Sequence, residues 1–327
     1  MITRVLASLL ILQLALVAFV YWPRESGPAS GQALITDLQL TEVIGIEVTD
    51  TSLGRAVDSA MESTTADKAE SNASGNTSNA ASRVQLSRDG DLWRLSSGLP
   101  ADPTKVDVLL NALLERDAGY AIATSDSAAQ RFRVAGEAYE RRLVLRTATA
   151  EHTAYLGSSP AFRKVHARRD GDNAIFVLEL NSYDAPVAED SWLDRSLLAQ
   201  SNPSTISLYG TEFLLERGAW RREDGKALDA QAMESLVQAL SAVQVTGSVA
   251  ASDADVAAAD EALRITVGNG DAKTRFTVLN NSKSERYYLR RNDFTQTFAT
   301  SSYDAERLIE ATTFLMADDG ETDAPET

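Results

Sequence analysis

The sequence predicts an α+β protein: an N-terminal transmembrane helix followed by two homologous repeats, each an antiparallel sheet with an amphipathic helix on one face. Three observations carry that expectation. Residues 5–23, VLASLLILQLALVAFVYWP, hold no charge. Alternating apolar stretches separated by Gly- and Asp-rich turns follow on either side of helical patterns. Several sequence landmarks then recur once, in the same order, in the second half of the chain.

The anchor comes first. Nineteen residues at 1.5 Å rise give about 28 Å, close to the hydrocarbon thickness of a bilayer. Tyr21 and Trp22 suit the headgroup layer and Pro23 ends the segment. A cleaved secretory signal has a shorter apolar region ending in small residues, whereas this run ends Phe19-Val20-Tyr21-Trp22. Residues 1–25 are therefore read as an uncleaved signal anchor. The N-terminal amine and Arg4 lie on its near side, while Arg24 and Glu25 cancel on the far side. That bias predicts a single-pass bacterial inner-membrane protein with its N-terminus in the cytoplasm and its body in the periplasm.

The first repeat is expected over residues 35–200, interrupted by a flexible Ser/Asn-rich insertion at 51–82 that holds too little apolar surface to offset its ordering entropy. Val57 and Met61 could form a short helical turn at the start of that insertion, and Asn72 and Asn76 match the glycosylation pattern by chance. Strand-like runs occupy 43–48 and 84–95. Asp102 and Pro103 then start a helix whose apolar face is Val106, Leu109, Leu110 and Leu113. A hairpin of 142–146 with 154–157 follows, and 191–198, SWLDRSLL, reads as a short helix joining the halves.

The second repeat is expected over residues 201–316. Strands at 206–220 precede a helix capped by Asp229 with Met233, Leu236, Val237 and Leu240 on its apolar face. A hairpin of 263–267 with 275–279 turns at Asn269-Gly270. Trp93 and Trp220, Asp102 and Asp229, and the two helix faces are all related by an offset of 127. Arg168-Arg169-Asp170 recurs as Arg290-Arg291-Asn292, and Ser182-Tyr183-Asp184-Ala185 as Ser302-Tyr303-Asp304-Ala305. Residues 317–327 carry five acids and no base, which predicts a solvated, disordered tail.

Composition narrows function mainly by exclusion. With 31 basic against 47 acidic residues and a net charge of -16, the chain lacks the basic surplus of a nucleic-acid partner. Zero cysteines exclude disulfides, thiolate nucleophiles and cysteine metal sites. The two histidines, His152 and His166, have no metal-ligand spacing and read as structural. Asp89/Asp91 and Asp170/Asp172 read as turn residues rather than calcium ligands, and Gly157-Ser158-Ser159-Pro160 as a turn rather than a nucleophile elbow. Gly268 and Gly270 do not lead from a strand into a helix as a phosphate-binding loop would. Asp253/Asp255 is one unconstrained carboxylate pair among many. Trp93 and Trp220 read as core positions rather than sugar platforms. No catalytic, cofactor or metal residue is assigned.

The anchor, Gly90 to Leu95 (GDLWRL), the helix start Asp102 to Val106 (DPTKV) and Trp192 to Leu198 (WLDRSLL) together resemble the bacterial family catalogued as domain of unknown function 4340. The resemblance covers roughly residues 40–310. The chain departs from it in the 51–82 insertion and at 130–134, QRFRV, where members carry a Tyr-Gly-Leu-like stretch. Members are often encoded beside the permease and auxiliary subunits of gliding-type ABC transporters. The resemblance therefore implies a non-catalytic accessory or scaffold protein of the envelope, partnered by the bilayer and by a permease or auxiliary subunit. The alternatives are a free-standing periplasmic module binding peptide or glycan, and an enzyme whose site has no sequence signature.

Overall fold

A computed structural model describes residues 32–50, 83–250, 252–270 and 272–317. The expected anchor, the 51–82 insertion with Asn72 and Asn76, and the tail beyond Ala317 lie outside the described residues. Among the described residues no helix is long and apolar enough to cross a membrane. The chain divides into two compact units, Met1–Gln85 with Asp107–Val187, and Leu86–Val106 with Ala188–Thr327.

After a 3-10 turn at Leu40–Glu42 come β1 (Gly45–Asp50), β2 (Arg83–Asp89) and β3 (Leu92–Leu95). Helix α1 (Pro103–Leu114) starts where Asp102 Oδ1 accepts the Thr104 N–H at 3.0 Å, with Pro103 at the first helical position where its missing N–H costs nothing. Next are α2 (Asp126–Phe132), the small ladder β4 (Val134–Ala135) and β5 (Ala138–Tyr139), then β6 (Arg141–Arg146), β7 (Glu151–Leu156), β8 (Val165–Arg169) and β9 (Ile175–Leu178). The first sheet has the order β3-β2-β1-β6-β7-β8-β9.

The later elements are β10 (Thr205–Leu208), β11 (Thr211–Glu216), β12 (Ala219–Arg222), α3 (Ala230–Ala242), β13 (Val245–Val249), α4 (Ala254–Ala257), β14 (Asp260–Asn269), β15 (Ala272–Asn281), β16 (Arg286–Arg291), β17 (Thr297–Thr300) and α5 (Ser302–Ala317). Their sheet runs β12-β11-β10-β14-β15-β16-β17-β13. With β10 in the place of β1 and β14 in the place of β6, this is the order of the first sheet with one edge strand added. Even that strand has a forerunner, because Ala123 bridges Ile175 at the β9 edge much as β13 pairs along β17. All ladders of the second sheet, and those of the first from β3 to β2 and from β1 to β9, are antiparallel, and the fold is mixed α+β and mostly β.

The registers agree residue by residue. Arg168 opposes Tyr155 as Arg290 opposes Thr277. Ala154 opposes Leu143 as Phe276 opposes Ile265. Leu143 opposes Val48 as Ile265 opposes Leu208. His166 opposes Val177 as Tyr288 opposes Ala299. A one-residue slip would turn every inward side chain outward, so matched registers mean matched cores.

The core follows the predicted faces, with four corrections to the expected elements. Val106, Leu109, Leu110 and Leu113 are all buried, as are Met233, Leu236 and Leu240. Val237, however, is only half-buried, and Ala232 and Ala239 complete the stripe in its place. Trp93 is 6% exposed, but Trp220 is half-buried rather than core. The segment 191–198 is not a helix: after a 3-10 turn at Glu189–Ser191 the chain runs through turns, holding Trp192, Leu193 and Leu198 fully buried. Ala317, read as the first tail residue, is the last residue of α5.

Candidate functional site

The polar side chains best suited to chemistry form three clusters, two of them on β7 and β8 and the third on β1, β2 and β6. A close approach of α2 creates the first cluster. Arg133 ends α2 in the left-handed conformation at φ 59°, and Phe132 O accepts the Ser158 N–H at 2.9 Å. A Cβ on Gly157 would lie 2.0 Å from Phe132 O, so only glycine permits this approach. It brings Ser158 Oγ to 3.0 Å from His166 Nδ1 and 3.2 Å from Phe132 O, with the imidazole stacked on the Phe132 ring at 4.2 Å.

A serine beside a histidine raises the question of nucleophilic catalysis. The geometry bears on it through proton count. The Phe132 carbonyl can only accept, so satisfying both contacts puts the hydroxyl proton on that carbonyl and the imidazole proton on Nδ1. In that tautomer Nδ1 cannot take the serine proton. The pair fastens the end of α2 to the β7–β8 hairpin.

A second cluster joins Asp37, Arg169 and His152. Asp37 Oδ2 is 2.6 Å from Arg169 Nη2 and its Oδ1 is 3.8 Å from His152 Nδ1. The Arg169 hydrogen bond holds the Asp37 carboxyl below the usual carboxylate range, against a small opposing effect of burial. Beside it lies a cavity of about 80 Å³ lined by Gln32, Leu34, Thr36, Gly119, Arg169 and Asp172. That is room for a few waters, well short of the roughly 300 Å³ at which small-molecule pockets begin.

The third cluster is a buried carboxylate. Glu47 is 5% exposed, and its Oε2 accepts from Arg83 at 2.7 Å, Gln85 at 3.2 Å and Arg146 at 2.6 Å. Burial alone would raise its pKa, but the hydrogen bonds from Arg146 and Gln85 and the charge of Arg83 outweigh burial and lower it. Tyr155, by contrast, is raised by burial and then by Asp170, with Arg168 over its ring at 5.1 Å.

The remaining candidates are occupied in turns and caps. Asp253 caps α4 by accepting from Asp255 N at 2.8 Å, and Asp255 pairs with Arg286 at 3.0 Å, so the two carboxylates do not face a common substrate position. Asp89 pairs with Arg94 at 2.8 Å, and Asp172 Oδ1 accepts from Ala174 N at 2.9 Å. Among the described residues no group of three His, Asp or Glu side chains is placed to hold a metal. The sequence carries no signal for the Glu47 cluster, since Arg83 and Arg146 reach that glutamate from neighbouring strands that are remote in sequence.

Fold and clusters together define a mixed α+β protein on antiparallel sheets whose strongest polar contacts brace strands. The chain belongs to the family described as Domain of unknown function (DUF4340), which matches residues 93–262. That agrees with the resemblance carried by Gly90–Leu95, Asp102–Val106 and Trp192–Leu198. No curated protein and no solved structure matches the chain.

Proposed function

We propose that this is a membrane-anchored, non-catalytic accessory protein of the bacterial cell envelope, held by residues 5–23 with its body in the periplasm, beside the permease or auxiliary subunit of an ABC-type transport system. The observation that supports the non-catalytic reading is the setting of the Ser158–His166 contact, where the hydroxyl also lies 3.2 Å from the Phe132 carbonyl, an acceptor that competes with the imidazole for its proton. The anchor rests on the uncharged run and on the charge difference across it. The transporter partner rests on the family resemblance.

The two sheets with their helices are homologous repeats in this reading. Support comes from the shared strand order and from registers that keep one offset of 122 across four strands. A duplicated sheet used as a scaffold needs no reacting groups at equivalent places.

Recovery of a permease and its ATPase with the full chain from mild detergent is the expected outcome. A periplasm-dependent reporter fused after Thr327 should be active. A silent, well-expressed fusion overturns the orientation, and recovery of the chain alone overturns the partner. A second reading, a peptide- or glycan-binding module, is favoured by half-buried Trp220 opposite exposed Leu215 at the sheet edge. It predicts loss of ligand retention in Trp220→Ala without loss of folding.

A further inference from the structure

The β7–β8 hairpin ends in Pro160-Ala161-Phe162-Arg163-Lys164, all exposed, with Phe162 at 88% the most exposed large hydrophobic side chain among the described residues. The β15–β16 hairpin stands at the equivalent place in the other half: Arg163 and Glu285 both sit at φ 54°, one offset of 122 apart, although Ala161 pairs with Lys164 in the first loop and Asn281 with Arg286 in the second. There the tip reads Ser282-Lys283-Ser284-Glu285-Arg286. The equivalent position is Ser284, half-buried, and at 88% exposed Phe162 serves no core packing.

Charge separates the tips as well. In a chain of net charge -16, residues 152–169 contain no acid and carry Arg163, Lys164, Arg168 and Arg169. Neither Arg163 nor Lys164 makes an ion pair among the described residues, whereas Arg286 at the other tip is held by Asp255 at 3.0 Å. The bond from Ser158 N to Phe132 O adds Arg131 and Arg133 at the hairpin base, the latter facing Glu140 at 3.6 Å. The loop is braced for presentation: Ser159 Oγ lies 2.8 Å from Ala161 O and 2.6 Å from Lys164 O, and Lys164 N donates to Ala161 O at 3.1 Å.

An apolar ring flanked by unpaired cations is the chemistry of docking at an anionic bilayer surface, where the ring enters the headgroup boundary and the cations meet phosphate. Chain length allows it. Gln32 lines the same small cavity as Arg169, at the opposite end of β8 from the tip. The tip lies about 20 Å further along at the rise of a strand, and residues 24–31 can reach at most about 28 Å beyond the anchor. We propose that the Phe162-Arg163-Lys164 tip is a second membrane contact, an anionic-lipid docking hairpin that holds the body against the bilayer. The proposal rests on the anchor reading only for its distance to the membrane.

Because the chain has no cysteine, Ala161→Cys provides a unique thiol beside the intact Phe162, and Lys283→Cys provides the matching thiol on the other tip. Each full-length variant, carrying a nitroxide label, is mixed with vesicles of phosphatidylcholine alone or of phosphatidylcholine and phosphatidylglycerol in equal parts. At position 161 the expected result is a reversal, from greater collision with a water-soluble nickel chelate to greater collision with oxygen, only with the anionic vesicles. Position 283 should stay in water throughout, and adding Phe162→Ser or Arg163→Glu to the 161 label should abolish the reversal. A water-exposed label at 161 on anionic vesicles overturns the proposal, as does an equal response to soluble heparin without lipid. Flotation of the unlabelled chain with neutral vesicles reports separately on the anchor, so failure there leaves the label's response to anionic lipid interpretable.

Discussion

Trp93 and Trp220 stand at the same place in two sheets of the same order, yet one is buried and the other is not. Their strand partners differ: Trp93 faces Arg88, whose guanidinium lies 6.0 Å from the ring, and Trp220 faces Leu215. The larger difference lies outside the strand. After β3 the chain turns back, so that Ala101 N donates to Trp93 O at 2.8 Å and Ala101 bridges Leu193 on its other side. Asp102 N then donates to Trp192 O at 2.7 Å. The residues 127 positions after the buried Leu99 and Ala101 and the half-buried Asp102 are Lys226, Leu228 and Asp229, of which only Leu228 is even half-buried. Leu95 is replaced at that offset by Arg222, buried with its guanidinium 2.8 Å from Asp224 and over the Phe213 ring at 5.7 Å. Burial of a strand residue is set as much by what folds over the strand as by the strand itself.

The sharpest way to break this comparison is to delete both rings. Trp93→Ala should lower unfolding free energy by about 3–5 kcal/mol, the usual cost of removing a fully packed aromatic. Trp220→Ala should cost less, since that ring is only half-buried. Urea titration of both variants reads the difference. Equal losses would mean that something covers Trp220 as fully as the 99–102 and 191–198 segments close over β3.

The helices sharpen it further. Leu109→Ala and Leu236→Ala each remove a side chain that is 0% exposed and should cost about 2–5 kcal/mol. Val237→Ala, predicted from periodicity alone to be equivalent to Leu110→Ala, should cost under about 1 kcal/mol because Val237 is half-buried. Thermal melting of the four variants checks the order. A Val237→Ala loss as large as that of Leu236→Ala would restore the periodicity reading.

Those cases mark what the sequence made legible. The apolar period of α1 and α3, their Asp102 and Asp229 caps, and the Asn269-Gly270 turn are local signals, so they could be read before any tertiary contact was known. The order of repeated landmarks carried the strand correspondence, because Arg168-Arg169 and Arg290-Arg291 occupy matched registers. What escaped was whatever depends on a neighbour remote in sequence. The closing of residues 99–102 and 191–198 over β3, the approach of α2 that forces glycine at 157, and the three partners of Glu47 are of this kind. Helix α5 was missed although Ser302-Tyr303-Asp304-Ala305 was noticed. Its twin, Ser182-Tyr183-Asp184-Ala185, forms only a 3-10 turn, and both tyrosines are exposed while both alanines are buried.

Gly157 has Leu279 as its counterpart one offset of 122 later, and the contrast gives the next effect in size. At Leu279 the short helix α4 packs Val256 against the side chain, whereas an added Cβ at Gly157 would run into the backbone carbonyls of Phe132 and Arg133. Gly157→Ala should therefore cost about 1–3 kcal/mol through backbone displacement, while Leu279→Ala costs a similar amount through lost packing. The two are told apart locally. Hydrogen exchange at Ser158 and Arg133 should quicken in Gly157→Ala and stay protected in Leu279→Ala. Unchanged exchange in the glycine variant would mean that α2 does not press on that strand.

The smallest and most condition-dependent effect belongs to Glu47, whose register equivalent is Ser207, half-buried and uncharged. Glu47→Gln keeps the shape but removes the charge that receives Arg146, Gln85 and Arg83, and should cost about 1–3 kcal/mol at neutral pH. The cost stays at the low end if Arg83 and Arg146, 47% and 36% exposed, rehydrate once released. Because the folded carboxyl titrates below its unfolded value near 4.3, the contribution is complete above that pH and fades as pH falls through the folded value. The wild-type and Glu47→Gln unfolding curves should thus converge on acidification, while Ser207→Ala keeps a constant, near-zero offset from wild type. A Glu47→Gln penalty that stayed undiminished as acid alone began to unfold the wild type would place its origin in packing rather than charge, and the first sheet would then differ from the second at that position by shape alone.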